Sequence, residues 1–290
     1  MNPIHMATLL AIVDTGSFEA AAADLGVSPS AVSQRVRALE GEIGRVLLRR
    51  TAPVAPTEAG EVLVQAARRM ALLEAETDAQ MGRRIGRVPL AVAINADSLA
   101  TWFRPVLARA AAWRHTALRL RLEDEAHTLA LLRRGDVLGA VTREATPVSG
   151  CHAVPLGTVR YRAVATPHLR SRYSTLEGVD WARMPALRFG PRDGLQDVDL
   201  EGRLDPSVRR QRRVSHVPSS EAFVEATRVG LGWSLLPEQQ AAPLLGSGEL
   251  VFLDERVQEV PLFWQRWRLE SAALSELSAA VLDASAELRE

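Results

Sequence analysis

The sequence predicts an N-terminal all-α winged helix-turn-helix, a long linker helix, and an α/β region folded as two lobes. Three observations predict this. The first sixty residues hold three short amphipathic stripes separated by glycine and serine. A run of roughly 25 residues after Thr57 then contains no proline and, between Gly60 and Gly82, no glycine. From Val88 onward, strand-like and helix-like segments alternate.

A chain of 290 residues accommodates two or three compact units, each with a sizeable core. Its 47% hydrophobic and 24% charged residues are those of a globular protein. The longest apolar stretches, such as Val88 to Ile94, fall well short of the ~20 residues a bilayer span requires. The N-terminus has no basic segment leading into an apolar core, so a cytoplasmic location without a membrane partner is expected. The 35 basic and 35 acidic residues cancel, and any nucleic-acid surface must therefore be a local patch. All the basic residues are arginine, from which no function follows. Cys151, the single cysteine, cannot form an internal disulfide and is expected as a small buried hydrophobe.

Met6, Leu9, Leu10 and Val13 mark the first helix, which Gly16 stops. Ser17 caps the second, striped by Phe18, Ala21, Ala22 and Leu25 and ended by Gly26. Ser28 and Pro29 open the third as N-cap and first helical residue. There Val32, Val36, Leu39 and Ile43 share one arc at about 100° per residue. Ser30, Gln34, Arg37 and Gly41 face away, with Ser33 and Arg35 at the flanks. Small hydroxyls permit close approach to a groove, Gln reads adenine bidentately, and Arg reads guanine or holds phosphate. The other reading, a solvated face with no partner, loses ground to the context. Two packed helices precede, and "LLRRTAPVAPT" follows, with Arg49 and Arg50 placed for phosphate and prolines that favour a strand-like wing.

"FEAAAADLGVSPSAVSQRVRALEGEIGRVLLRR" followed by "PTEAG" resembles the winged helix-turn-helix of LysR-type transcriptional regulators. The likeness lies in the Ala-Ala pair, the "AVSQ" recognition helix, the "LE" exit toward glycine and the threonine-glycine opening of a long helix. It implies double-stranded promoter DNA as partner. By position, base and phosphate contacts fall on Ser30, Ser33, Gln34, Arg37 and Arg50, with Ser28, Pro29, Arg35 and Arg49 beside them.

Thr57 caps the long helix, and Leu63, Ala66, Met70 and Leu73 are spaced as a helix–helix seam. Packing on its own domain is the alternative. The resemblance implies a dimer coiled coil that presents paired heads to a two-fold symmetric site. "GRRIGRVP" at Gly82 to Pro89 reads as a hinge. The expected domains are 1–58, the DNA-binding head; 59–87, linker helix and hinge; and 88–290, an effector domain. Its first lobe takes about 88–160 and 265–290, and its second about 161–264.

In the effector region "VPLAVAI", "ALRLRLED" and "VLGAVT" are strands separated by helical "SLATWFRPVLARAAAW", restarting near Pro105, and "TLALLRRG". A second series runs from "YRAVATP" through "SSEAFVEATRVGLG" to "WSLLP", and a terminal helix starts near Ser271. Ligands in such sheets bind beyond the strands' carboxyl ends. Strand one ends in Asn95, Asp97 and Ser98, where Ser98 as cap would leave its N–H and those of Leu99 and Ala100 free for a carboxylate. Strand two ends in Glu123, Asp124 and Glu125, and strand three at Thr142. Ser219 and Ser220 open a helix in the second lobe, while "RDGLQD" supplies Asp193 and Asp197. Anion-binding helix ends beside carboxylates fit a zwitterion with an extra positive charge, a basic amino acid. The same residue types are ordinary at loops and caps, so chemistry alone leaves the matter open.

"AVAINADSLATWF", "LRLEDEAHT", "LLRRGDVLGAVT", "PSSEAFVEATRVGLGW" and "VPLFWQRW" are together similar to the ArgP/LysG branch of the LysR family. That resemblance implies a periplasmic-binding-protein-like effector domain that senses lysine or arginine and controls an exporter gene for basic amino acids. Effector contacts are then expected at Asn95, Asp97, Ser98, Glu123 and Thr142, with Asp193, Ser219, Ser220 and Trp264 from further along the chain. A homo-oligomer built as a dimer of dimers, with RNA polymerase as a further partner, completes the expectation.

No phosphate-binding, dinucleotide, nucleophile-elbow or HExxH motif is present, and "GLGW" reads as tight helix-to-strand packing. The histidines (His5, His115, His127, His152, His168, His216) show no metal-ligand spacing. No catalysis, cofactor or metal is expected. The competing classes are a two-lobed solute-binding protein or enzyme without DNA function, and a LysR-type regulator for another small molecule. A truncation starting near Arg87 separates the first from the regulator, because it should keep ligand binding and lose DNA affinity.

Overall fold

The computed structural model describes residues 2–81, 88–113, 116–123, 128–176, 178–191 and 193–289. Most of the expected hinge, together with Asp124, Glu125, His115 and His127, lies outside them.

Side-chain caps start the first three helices. Asn2, Ser17 and Ser28 accept from Ile4, Ala20 and Ala31 N–H and open α1 (Pro3–Thr15), α2 (Phe18–Leu25) and α3 (Pro29–Ile43). Gly16, Gly26 and Gly44 end them with φ of 70, 64 and 72°, a left-handed exit open to glycine. Leu9, Ile12, Ala21, Val32 and Leu39 meet in the core of this head. A short antiparallel hairpin, β1 (Leu48–Arg49) with β2 (Ala55–Pro56), forms the wing.

Thr57 Oγ1 accepts from Gly60 N–H at 3.1 Å and caps α4 (Glu58–Gln80). A Cβ on Gly60 would strike the carbonyl oxygen of Leu47, so only glycine lets the linker start this close to the wing. Leu63, Val64 and Ala67 turn inward to the head core, and Leu72 enters the core of the effector region. Val62, Met70 and Leu73 stay exposed. The outward stripe therefore begins at Val62, and the expectation that Leu63 belongs to a seam between copies is corrected: the head covers it.

The effector region continues with β3 (Val88–Ile94), α5 (Ala96–Ala100), α6 (Arg104–Ala110), β4 (Thr116–Leu122), α7 (Thr128–Arg134) and β5 (Gly139–Thr142). Then come β6 (Cys151–Ala165), α8 (Pro167–Arg172), β7 (Ser174–Thr175), β8 (Gly178–Val179), β9 (Ala186–Arg188), α9 (Leu195–Asp199), α10 (Pro206–Gln211) and β10 (Val214–His216). The chain closes with α11 (Ser220–Arg228), β11 (Ser234–Pro237), α12 (Glu238–Gly246), β12 (Val251–Trp267) and α13 (Ala272–Ala284). The helical restart before Pro105 occurs between α5 and α6, and Ser271 caps α13.

One six-stranded sheet, ordered β11-β6-β12-β5-β3-β4, runs through both lobes. The βαβαβ unit is parallel, β3 lying between β5 and β4. β6 and β12, of 15 and 17 residues, form an antiparallel pair that joins β5 on one side to β11 on the other. The expected lobe limits near 160 and 264 thus fall inside continuous strands. The pairing shifts between Leu262 and Phe263, opposite Gly157 with φ of 136°. A Cβ there would collide with the carbonyl of Leu288, so the bulge is packed against the C-terminal turn.

Candidate functional site

Packing of Val32, Val36 and Leu39 into the head fixes which side of α3 faces outward. Ser30, Gln34 and Arg37 are exposed, as are Ser28 and Pro29 at the helix start, and Ser33 is partly covered. The Ser28 hydroxyl caps the helix and lies 2.9 Å from that of Ser30. Arg35 is drawn back toward α1, donating to Thr8 Oγ1 at 3.4 Å. Arg49 and Arg50 are exposed on the wing side. Ser33 and Arg50 meet at a hollow of about 250 Å³ between α3 and the wing, where the Arg50 guanidinium lies 5.9 Å from the Phe18 ring centroid. Hydroxyl, amide and guanidinium groups are therefore presented together beside a wing, an arrangement suited to a duplex groove and its phosphates.

The second site is a cavity of about 580 Å³ where the lobes face each other. The carboxyl ends of β3 and β4 contribute Asn95, Asp97 and Glu123. The long strands supply Tyr161 and Val260, and the opposite lobe adds Phe189, Asp193, Gln196 and Phe223. Tyr161 donates its hydroxyl proton to Asp97 Oδ2 at 2.9 Å. Removal from water raises the Asp97 pKa to about 6; the Tyr161 hydrogen bond opposes the rise and the charge of Asp193 adds to it. Asp193 is held by Phe189 and Leu195 N–H groups, each at 3.1 Å.

Of the expected effector contacts, Asn95, Asp97, Glu123 and Asp193 come together on this cavity, and the others do not line it. Ser98 is not the cap of α5. Asn95 takes that place, its side chain accepting from Ser98 N–H at 3.1 Å, and its carbonyl accepts from Leu99 N–H. Ser98 is wholly buried, and the free N–H groups expected at Ser98 and Leu99 are already occupied. Thr142 is also buried and accepts from Glu144 N–H at 3.2 Å, turning the chain so that Arg143 lines the cavity instead. Ser219 caps α11 and Ser220 accepts from Gln240, while their neighbour Pro218 lines the wall. Trp264 is a core residue: its indole N–H donates to Ser278 and its ring fills the space over Gly139. Asp197 pairs with Arg188.

Sequence reasoning missed Tyr161, Arg143 and Gln196. Arg143 follows a strand end already singled out and was within reach. Gln196 is bonded to the Leu187 carbonyl at 2.7 Å and accepts from Arg212 at 3.4 Å, a pairing across sixteen residues that no local pattern signals. Among the described residues, no three His, Cys, Asp or Glu side chains gather as a metal site.

The family model "Bacterial regulatory helix-turn-helix protein, lysR family" matches residues 4–61, and "LysR substrate binding domain" matches residues 85–287. The lysine export transcriptional regulatory protein LysG of Corynebacterium efficiens is 64% identical over 285 residues, 98% of each chain. That of Corynebacterium glutamicum is 63% identical over 287 residues, 99% of each. Full-length LysG from Corynebacterium glutamicum with bound effector Arg superposes with a TM-score of 0.85 at 61% identity, covering 100% of both chains. ArgP from Mycobacterium tuberculosis gives 0.85 at 39% identity, covering 99% of this chain and 98% of that one. The chain belongs to the LysR family of bacterial helix-turn-helix regulators, and is a DNA-binding transcription factor and not an enzyme.

Proposed function

We propose that this regulator senses a basic amino acid, lysine or arginine, in the interlobe cavity and thereby controls a gene for amino-acid export. The observation that carries the reading is the convergence of Asp97, Glu123 and Asp193 on a cavity of about 580 Å³, room for one small cationic molecule. The names of the LysG relatives and the arginine-bound structure support it. Asn95, Tyr161, Gln196 and Arg143 add to the polar wall; Ser219 and Ser220 contribute through the helix end that sets Pro218.

Ser30, Ser33, Gln34 and Arg37 of α3 read the major groove, with Ser28, Pro29 and Arg35 alongside, while Arg49 and Arg50 hold phosphates. The head spans 1–58, the linker and hinge 59–87 and the effector domain 88–290. Val62, Met70 and Leu73 on the outward side of α4, with Ala66 partly covered by the head, support pairing with a second copy, which brings two heads to a two-fold symmetric operator. Association into a dimer of dimers and contact with RNA polymerase in the cytoplasm extend the same reading. The effector acts by favouring one lobe arrangement over another.

Calorimetric titration of the full chain with each of the twenty amino acids tests the sensing claim: binding is expected for lysine and arginine. No heat with either discards it in favour of another effector. Salt-dependent binding to its own promoter fragment tests the DNA claim, and a salt-insensitive interaction contradicts it.

A further inference from the structure

Resting on the reading of a basic amino-acid effector, we infer that Arg143 is the residue that recognises the effector's α-carboxylate, and so separates the amino acid from the corresponding amine. A lysine or arginine molecule brings two cationic groups and one anionic group. The described cavity wall carries Asp97, Glu123 and Asp193 for the cations, and Arg143 is its one cationic side chain among the described residues. Without that arginine, the wall would favour a diamine over the amino acid made from the same side chain.

The surrounding arginines are committed elsewhere. Arg188 pairs with Asp197, Arg203 with Asp199 and Asp254, and Arg162 with Glu238 at 3.5 Å. Arg143 has no hydrogen-bond or ion-pair partner among the described residues, and it is exposed at the cavity edge directly after β5. Its five N–H donors remain available in the planar fork that fits a carboxylate bidentately. The N–H groups of Ser98 and Leu99 in α5, the other expected anion holders, are taken by Asn95. Strand order places Arg143 and Glu123 on opposite sides of the β3 end, with Asp97 between them. Opposite charges at the two edges match the separated ammonium and carboxylate of the ligand.

Isothermal titration of wild type, Arg143→Gln and Arg143→Lys with L-arginine and with agmatine, its decarboxylated analogue, tests the assignment. Wild type is expected to bind arginine more tightly than agmatine. Arg143→Gln should lose about 10- to 100-fold in arginine affinity while agmatine binding stays level or improves, and Arg143→Lys should recover part of the loss. Arg143 is exposed, so circular dichroism should find each variant folded. Equal loss for both ligands, or no loss for either, overturns the assignment. Failure of wild type to bind either arginine or lysine instead removes the sensing reading, and the Arg143 role with it.

Discussion

At the scale of single residues, Asp97 makes the cavity responsive to protons. Its carboxyl is raised to about 6, so the folded apo protein holds a proton there more readily than the unfolded chain does. Ionised Asp97 therefore opposes folding as pH rises from the ordinary carboxylate range through 6, and the opposition is complete above that. A cationic ligand reverses the preference by stabilising the carboxylate. Arginine affinity is expected to be level above pH 7 and to fall by about tenfold per pH unit below 6, measured by calorimetry across pH 5 to 8. Asp97→Asn should weaken binding at pH 7.5, flatten that profile and raise the melting temperature of the apo protein. An unchanged profile would assign the proton elsewhere. The type of residue at this position was legible, since a carboxylate at a strand end is a common ligand group. Its raised pKa was not, because it comes first from burial by side chains brought together in the fold, and then from the charge of Asp193, which lies far along the chain.

At the scale of elements, the head was the most legible part. Its signals are local: Ser17 and Ser28 cap helices, and Gly16 and Gly26 end them, each acting within four residues. The polar side of α3 followed from the spacing of its apolar side. Replacing Gln34 with alanine is expected to relax base preference, whereas Arg50→Ala should weaken binding to all sequences and lower the salt slope by about one. Fluorescence anisotropy on operator and scrambled duplexes distinguishes these outcomes, and the reverse pattern would mean α3 is rotated. On α4 the same reasoning slipped by one residue. Apolar side chains at 62, 63, 66, 70 and 73 admit two overlapping stripes, and only contact with the head decides that Leu63 is inside. Gly60→Ala should lower the melting temperature, because its methyl meets the Leu47 carbonyl and the backbone must move; overpacking of this kind costs about 1–3 kcal/mol. Thermal unfolding with an unchanged midpoint would contradict this.

At the scale of the whole molecule, α4 touches both parts of the chain. Arg68 reaches Asp14 of α1 at 2.5 Å and Asp136, beyond α7, at 3.0 Å. Arg69 lies over Trp267 at 4.7 Å, and Glu76 accepts from Ser271 and from Ala273 N–H at the start of α13. Arg68→Ala should leave arginine binding in place and reduce the change in DNA affinity that arginine produces, checked by operator titrations with and without ligand; an unaltered response would exclude this joint from coupling. None of these long-range pairs shows in periodicity. The extent of β6 and β12 was equally hidden, because their buried side changes where they leave one lobe for the other.

That strand pair has a mechanical consequence. Two hydrogen-bonded ribbons cannot slide apart as a slack loop can, so any approach of the lobes would require added twist in the sheet. The pairing already departs from regular register at the bulge by Gly157, and the carbonyl of Leu288 rests against it. The turn Ser285–Leu288 thus sits as a shim beside that point of the ribbon.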